Sequence, residues 1–369
     1  MKLSPSPFAR VLALTVAFLG FAALPARLQA QSYPPAFSAA SSYAVGDQVQ
    51  LFGNVLRATH AVVPGGFKYD EWELWDVRSG TTVMIGPGQD FANLQAGWAY
   101  IQNAHVTDGA YLHLYINTSK GGLNETFTSA FSLDHGSGAL ISIIGDTPGN
   151  ILFTFPSSAG FIIDNGHAFG NISGIIISSG SISWTNHAQG LTLLNGATIE
   201  GLATSNIFGF EVAIYAYQCA SIYVYPTVQI LYCNNGVTAD FGASVNAGGI
   251  TYVGQGPTGG GTCFYADHNG TIAASGSTVG SIGSGEQGYA IGAHALNGGV
   301  IDANSCSFEY CGTACDAAQG GRITVTGGTF KSNTADLTAR EGGTIYATGT
   351  TTPDGTSVGV GDGSFIWKT

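Results

Sequence analysis

Positive charge is what this sequence has least of. Lys and Arg together number 11 in 369 residues, and from Gly121 through Gly321 there is none. Charged residues of both signs make up only 9%, with a formal net charge of −12. Nucleic acids and anionic membrane surfaces are gripped by Lys and Arg clusters, so neither is an expected partner. The same gap argues against a lyase acting on acidic sugars, because that chemistry needs a cation beside the carboxylate it stabilises. Beyond the first thirty residues, no apolar run approaches the roughly 20 residues of a membrane helix, and no membrane insertion is expected. No clear Asp cluster marks a Ca²⁺ site, and no metal or cofactor is expected. Disorder is excluded as well: 44% of the residues are hydrophobic, whereas a disordered chain is charged and poor in Ile, Val and Phe.

What is there begins with an address. Residues 1–30 place two cations in "MKLSPSPFAR" before the short apolar run "VLALTVAFLGFAAL" and the small-residue stretch "ARLQA". That layout is a secretory signal peptide, so the mature chain is expected outside the cell, or in a periplasm. Six cysteines, Cys219, Cys233, Cys263, Cys306, Cys311 and Cys315, could pair in such a compartment. They could equally pack as buried free thiols, and the sequence leaves both readings open.

The body of the chain repeats itself. Ile222, Ile250, Ile272, Ile301, Ile323 and Ile345 are separated by 28, 22, 29, 22 and 22 residues. Six positions before each lies a small residue: Ala216, Ser244, Ala266, Ala295, Ala317 and Ala339. Four before each is polar: Gln218, Asn246, His268, Asn297, Gln319 and Glu341. Two before each come Ala220, Gly248, Gly270, Gly299, Gly321 and Gly343. A fixed period with small and glycine positions in phase is the mark of a solenoid, and the two longer intervals read as loops inserted on one side. Alternation as in "VAIYAYQ" makes each coil of strands, stacked about 4.8 Å apart. The polar column then reads as side-chain amides bonding up the stack. Ile151, Ile176 and Ile199 extend the anchors upstream, so the solenoid is placed at residues 108–350.

A solenoid must cover its first coil. "DFANLQAGWAYIQNA" supplies a helix with Asp90 as its expected N-cap. Phe91, Leu94, Trp98 and Ile101 recur at helical spacing, which makes Trp98 a core residue of the cap. Residues 81–107 hold this linker and helix. Residues 351–369 are expected to close the far end with Phe365, Ile366 and Trp367.

From "VMIGPGQDFANLQAGWAYIQNA" through "LISIIGD" and the Gly–x–Ile corners, the chain resembles the pectin-lyase-like right-handed parallel β-helix family, in particular secreted and tail-spike-like members. The resemblance implies an all-β right-handed parallel β-helix with an N-terminal capping helix. Activity does not follow, because the fold hosts lyases, hydrolases, epimerases and non-catalytic adhesins. Residues 31–80 form a separate small β module similar to the chitinase-type carbohydrate-binding module. Tyr43, Gly46, Asp47, Val49, Gly53 and Trp72 match its pattern, whereas Phe37 and Leu56 replace the usual aromatics.

Three sets of residues could carry function. Seven positions before each anchor isoleucine lie Tyr215, Ala243, Tyr265, His294, Asp316 and Thr338, expected as one outward row. Within it His294 beside Asp316 could serve as a general base, with Asp267 close to Tyr265 as a second carboxylate for hydrolysis, which needs two such groups roughly 5 to 10 Å apart. Tyr215, Tyr217, Tyr223, Tyr225 and Tyr265 should face outward and could stack on sugar rings or simply pack on one another. Tyr43, Trp72 and Trp75 offer either a stacking surface or the core of the module. The sequence thus points to a secreted β-helix protein recognising a polysaccharide or cell-surface glycan. The alternatives are a polysaccharide-degrading enzyme, hydrolase before lyase, and a non-catalytic stalk assembled as a homotrimer.

Overall fold

The computed structural model describes residues 34–156, 159–181, 188–253, 261–280, 289–351 and 358–368. Residues 1–30, read above as a signal peptide, lie outside the described residues. The described chain winds as a right-handed parallel β-solenoid, with one helix and a small β sheet at its N-terminal end. Each coil visits three faces in a fixed order, and like faces stack into parallel sheets of 12, 9 and 10 strands. One turn runs through Thr198–Ala203 on the first face, Asn206–Phe208 on the second and Val212–Tyr217 on the third. It then returns to the first face as Ser221–Val224, directly above its own start.

The isoleucine ladder is real. Ile301 pairs with Ile323 above it and Ile272 below, and Ile323 pairs with Ile345. Below Ile272 the ladder runs through Val245, Ile222, Ile199 and Phe169. Ile250 is therefore not a rung: it precedes Thr251–Val253 on the second face. Ile151 and Ile176 also belong to the second face. The error has a physical origin, since a small–small–Ile phrase serves more than one corner of the coil.

Correcting that rung replaces Ser244 by Ala239 in the small column. Ala216, Ala239, Ala266, Ala295, Ala317 and Ala339 are all fully buried. The column four before the anchor becomes Gln218, Phe241, His268, Asn297, Gln319 and Glu341, and each of these has φ between 42° and 54°. So does its successor, at 62° to 81°: Cys219, Gly242, Asn269, Gly298, Gly320 and Gly342. Polar residues prevail there because a left-handed backbone suits short polar side chains and glycine, not because of an amide ladder. Hydrogen bonding up the stack at this corner is largely backbone, as in Gly196 N–H to the Gln218 carbonyl and Gln218 N–H to that of Asp240. The next residue meets the coil below. A Cβ on Gly270, Gly299, Gly321 or Gly343 would stand 2.0 to 2.2 Å from a backbone carbonyl oxygen.

The lower end is closed by the helix Leu94–Ile101. Its N-cap is Asn93, which accepts from Ala96 N–H at 2.8 Å, and not Asp90. Glu125 accepts from the N–H groups of Leu94 and Gln95, satisfying the first turn further. Trp98 packs its ring on Phe131, His135 and Phe169, in the core as expected. At the upper end Phe365–Lys368 adds a last strand over Thr344–Ala347. Phe365 and Trp367 do not fold over the coil; they are 70% and 63% exposed, and only Ile366 packs on the core.

The N-terminal module is an antiparallel sheet of Gln48–Leu51, Asn54–Ala58 and Trp72–Val77. Trp72–Val77 also pairs with His105–Val106. The first solenoid strand, Thr81–Ile85, follows at once and pairs with Leu112–Ile116 on the first face. Hence the ladder begins within the segment read as linker.

Candidate functional site

The outward surface of the third face gathers most of the candidate residues. Thr192, Tyr215, Thr238, Tyr265, His294, Asp316 and Thr338 are in register up one column. The row Tyr265–His294–Asp316 thus occupies three successive coils. Ala243 is not in it; Thr238 takes the place, as the corrected ladder requires. A second column two residues on brings Tyr217 beside Asp240, with Asp267 one coil higher.

The lower part of this surface is aromatic. Tyr215 and Tyr217 stack at 5.8 Å with 19° between their planes. Tyr217 meets Phe241 edge-on at 5.1 Å, and Phe241 stacks on His268 at 4.3 Å and 8°. Four rings therefore run continuously over three coils. Phe241 is 44% exposed and has φ 49°, a conformation unfavourable for a bulky side chain. Neither burial nor backbone preference explains it.

Carboxylates flank the rings. His268 Nδ1 lies 3.1 Å from Asp240 Oδ1 and 3.3 Å from Asp267 Oδ1. Asp267 accepts from Asn297 Nδ2 at 2.8 Å, the Tyr265 hydroxyl at 2.9 Å and His268 N–H at 2.8 Å. Burial pulls the Asp267 carboxyl upward, but the donors from Asn297, Tyr265 and His268 outweigh it and leave it below its usual range. Asp240, Asp267 and His268 could together present one ligand atom each to a metal ion. Asp240 Oδ1 accepts from Phe241 N–H, and Asp267 accepts from Asn297, Tyr265 and His268, so hydrogen bonds within the protein hold these side chains in place. Asp240 and Phe241 belong to the coil anchored by Val245, and that rung is the sequence signal that places them in the strip.

Higher on the same column the chemistry becomes ionic. Asp316 Oδ2 accepts from Arg340 Nη2 at 2.9 Å and lies 3.3 Å from His294 Nε2. The His294 contact is close but not aligned as a hydrogen bond, and both Nε2 and Asp316 Oδ1 are buried without a partner. Burial lowers the His294 pKa; Asp316 opposes this and Arg340 reinforces it. The imidazole is therefore neutral near pH 7. Arg340 also corrects the picture of a wall without cations, since it lies beyond the sequence gap but reaches back into the row. A hydrolase needs one carboxyl held protonated and one ionised. Here Asp267 is held low, so it is not set as the acid.

Tyr223 and Tyr225 lie around the corner from Tyr215 and Tyr217, and their exposure is 39% and 40%. Their rings meet at 4.7 Å. Ser221–Val224 belongs to the first face, so the tyrosines form two pairs on two faces. In the N-terminal module Trp72 is buried at 2% exposure, and Tyr43 packs against it at 5.1 Å with its hydroxyl engaged by Ser38. Trp72 belongs to the core, and Tyr43 is partly buried against it. Trp75 is half-buried, with the Arg57 guanidinium 3.6 Å above its ring.

No family model and no curated protein sequence matches the chain, so the parallel β-solenoid stands on the geometry described above.

Proposed function

We propose that this protein is an exported, non-catalytic β-solenoid that binds a polysaccharide along the aromatic strip of its third face. The observation that carries the reading is Phe241, exposed and in a left-handed conformation that costs about 1–2 kcal/mol, yet stacked in line with Tyr215, Tyr217 and His268. Aromatic faces stack on the apolar faces of sugar rings. Asp240 and Asp267 beside them are acceptors for sugar hydroxyls, and their charge disfavours polyuronates. Immobilised neutral polysaccharides should retain the protein, and the double substitution Tyr217→Ala with Phe241→Asn should abolish retention while the circular dichroism spectrum stays unchanged. Undiminished retention by that variant would sink the assignment.

A second reading, hydrolysis of the bound chain, is favoured by the unpartnered Asp316 Oδ1 and His294 Nε2. It requires release of reducing ends by purified protein, lost on Asp316→Asn. Retention without release leaves the binding reading alone.

A further inference from the structure

A cleft of about 290 Å³ lies where the N-terminal module meets the first solenoid coil. The module contributes Phe52, Phe67 and Tyr69 to its lining; the solenoid contributes Thr82, Asp90 and Tyr100. Neither part forms it alone. We propose that this cleft is a second saccharide site, independent of the aromatic strip, that takes a single uncharged sugar ring.

Four observations converge on that class of ligand. First, the wall is aromatic: Tyr69 and Tyr100 meet edge-on at 5.6 Å, and Phe91 packs behind both at 5.0 to 5.2 Å. Second, Asp90 has no capping duty, because Asn93 takes it; Asp90 instead lines the cleft with Tyr69 and stays solvent-exposed there. An ionised carboxylate accepts several hydrogen bonds, so sugar hydroxyls can donate to it. Third, no Lys or Arg lines the cleft, which disfavours phosphates and uronates. Fourth, Phe52 sits at the tip of the hairpin between Gln48–Leu51 and Asn54–Ala58, 87% exposed with φ 50°. That turn position ordinarily takes Asn, Asp or Gly. Phe52 and Phe241 are the two phenylalanines at positive φ among the described residues, and each stands at a surface argued to bind sugar. A concave, mostly apolar pocket with a few convergent polar groups is where small ligands bind, and its volume is on the scale of one sugar ring.

Calorimetric titration of the full chain with neutral monosaccharides, matched uronic acids and matched amino sugars tests the proposal. A neutral sugar should bind saturably. Tyr69→Ala should weaken binding ten-fold or more. Thr82→Trp, at an exposed rim position that leaves the core intact, should weaken it as much by filling the mouth. Tyr217→Ala should leave it unchanged, which separates this site from the strip. No binding by any neutral sugar, preference for uronic acids or amino sugars, or affinity that survives Thr82→Trp and falls with Tyr217→Ala would overturn it. Polymer retention through the strip is read separately, so one site can fail while the other stands.

Discussion

Two corners of each coil obey different rules. Between the third and first faces, seven residues separate the outward column from the ladder in six successive coils, from Tyr215 to Ile222 up to Thr338 to Ile345. Between the second and third faces the connection is three residues in some coils, as from Leu231 to Asn235. In others it is longer and includes residues 254–260 or 281–288, which lie outside the described residues. At the first corner successive backbones touch, so length and φ are fixed while the outward side chain is free. Six residues with nearly the same φ there include an amide, a phenylalanine, a histidine and a carboxylate. A rigid backbone position is thus a place where chemistry can change without changing the fold.

Glycines test this comparison most sharply. Gly321→Ala would place a methyl 2.1 Å from the Ala295 carbonyl oxygen, and overpacking of that kind should cost about 3 kcal/mol, seen as a lowered urea midpoint with unchanged slope. Its neighbour Gly320 has φ 76° and open space around it, so Gly320→Ala should cost only about 1–2 kcal/mol of left-handed strain. If the two were equal, backbone contact would not be what fixes this corner.

Phe241→Asn should move the other way. Asparagine accepts the left-handed backbone more readily than phenylalanine, so the variant should gain up to about 1 kcal/mol while losing polysaccharide retention. A loss of stability would mean that ring stacking on Tyr217 and His268 outweighs the strain. At the opposite corner Gly280→Ala should be near neutral, within about 0.5 kcal/mol. Gly280 has ordinary φ, and among the described residues the nearest atom to a new Cβ, Glu309 Cβ, is 3.9 Å away. A cost like that of Gly321→Ala would erase the distinction between the corners.

The same comparison explains what the sequence made legible. The ladder Ile272–Ile301–Ile323–Ile345 and the row Tyr265–His294–Asp316 could be read because their corners carry the polar-then-small phrase. The coil through Val245 could not, because Phe241 replaces the polar residue and "NAGGI" a few residues later imitates the phrase. Asp240 and the middle of the aromatic strip were lost with it. The residue that disguised the coil is the one whose exposure and strain mark the proposed site, as expected where a local rule is broken for function. Burial inside the module was also out of reach, since Trp72 alternates like any strand residue and only packing shows which side it faces. The cleft beside Tyr69 needs two segments brought together, and no local pattern encodes that.

Thiol chemistry gives the last and mildest test, because it leaves stability untouched. Cys219 sits at the tight corner with φ 62° and is exposed. Cys233 and Cys311 sit at the variable corner and are 0% and 2% exposed; Cys263, Cys306 and Cys315 are buried in the coils. Burial pushes the Cys233, Cys306 and Cys311 thiols up to about 12 and those of Cys263 and Cys315 well above the ordinary range, which suppresses the reactive thiolate. A disulfide reagent should therefore modify one thiol rapidly in the native protein and six in denaturant. A second rapid equivalent would show that the variable corner opens in solution, and Cys233→Ser or Cys311→Ser would identify where. A total below six in denaturant would mean that some of these cysteines are paired. The variable corner would then be held by covalent bonds, and its freedom in length would need another explanation.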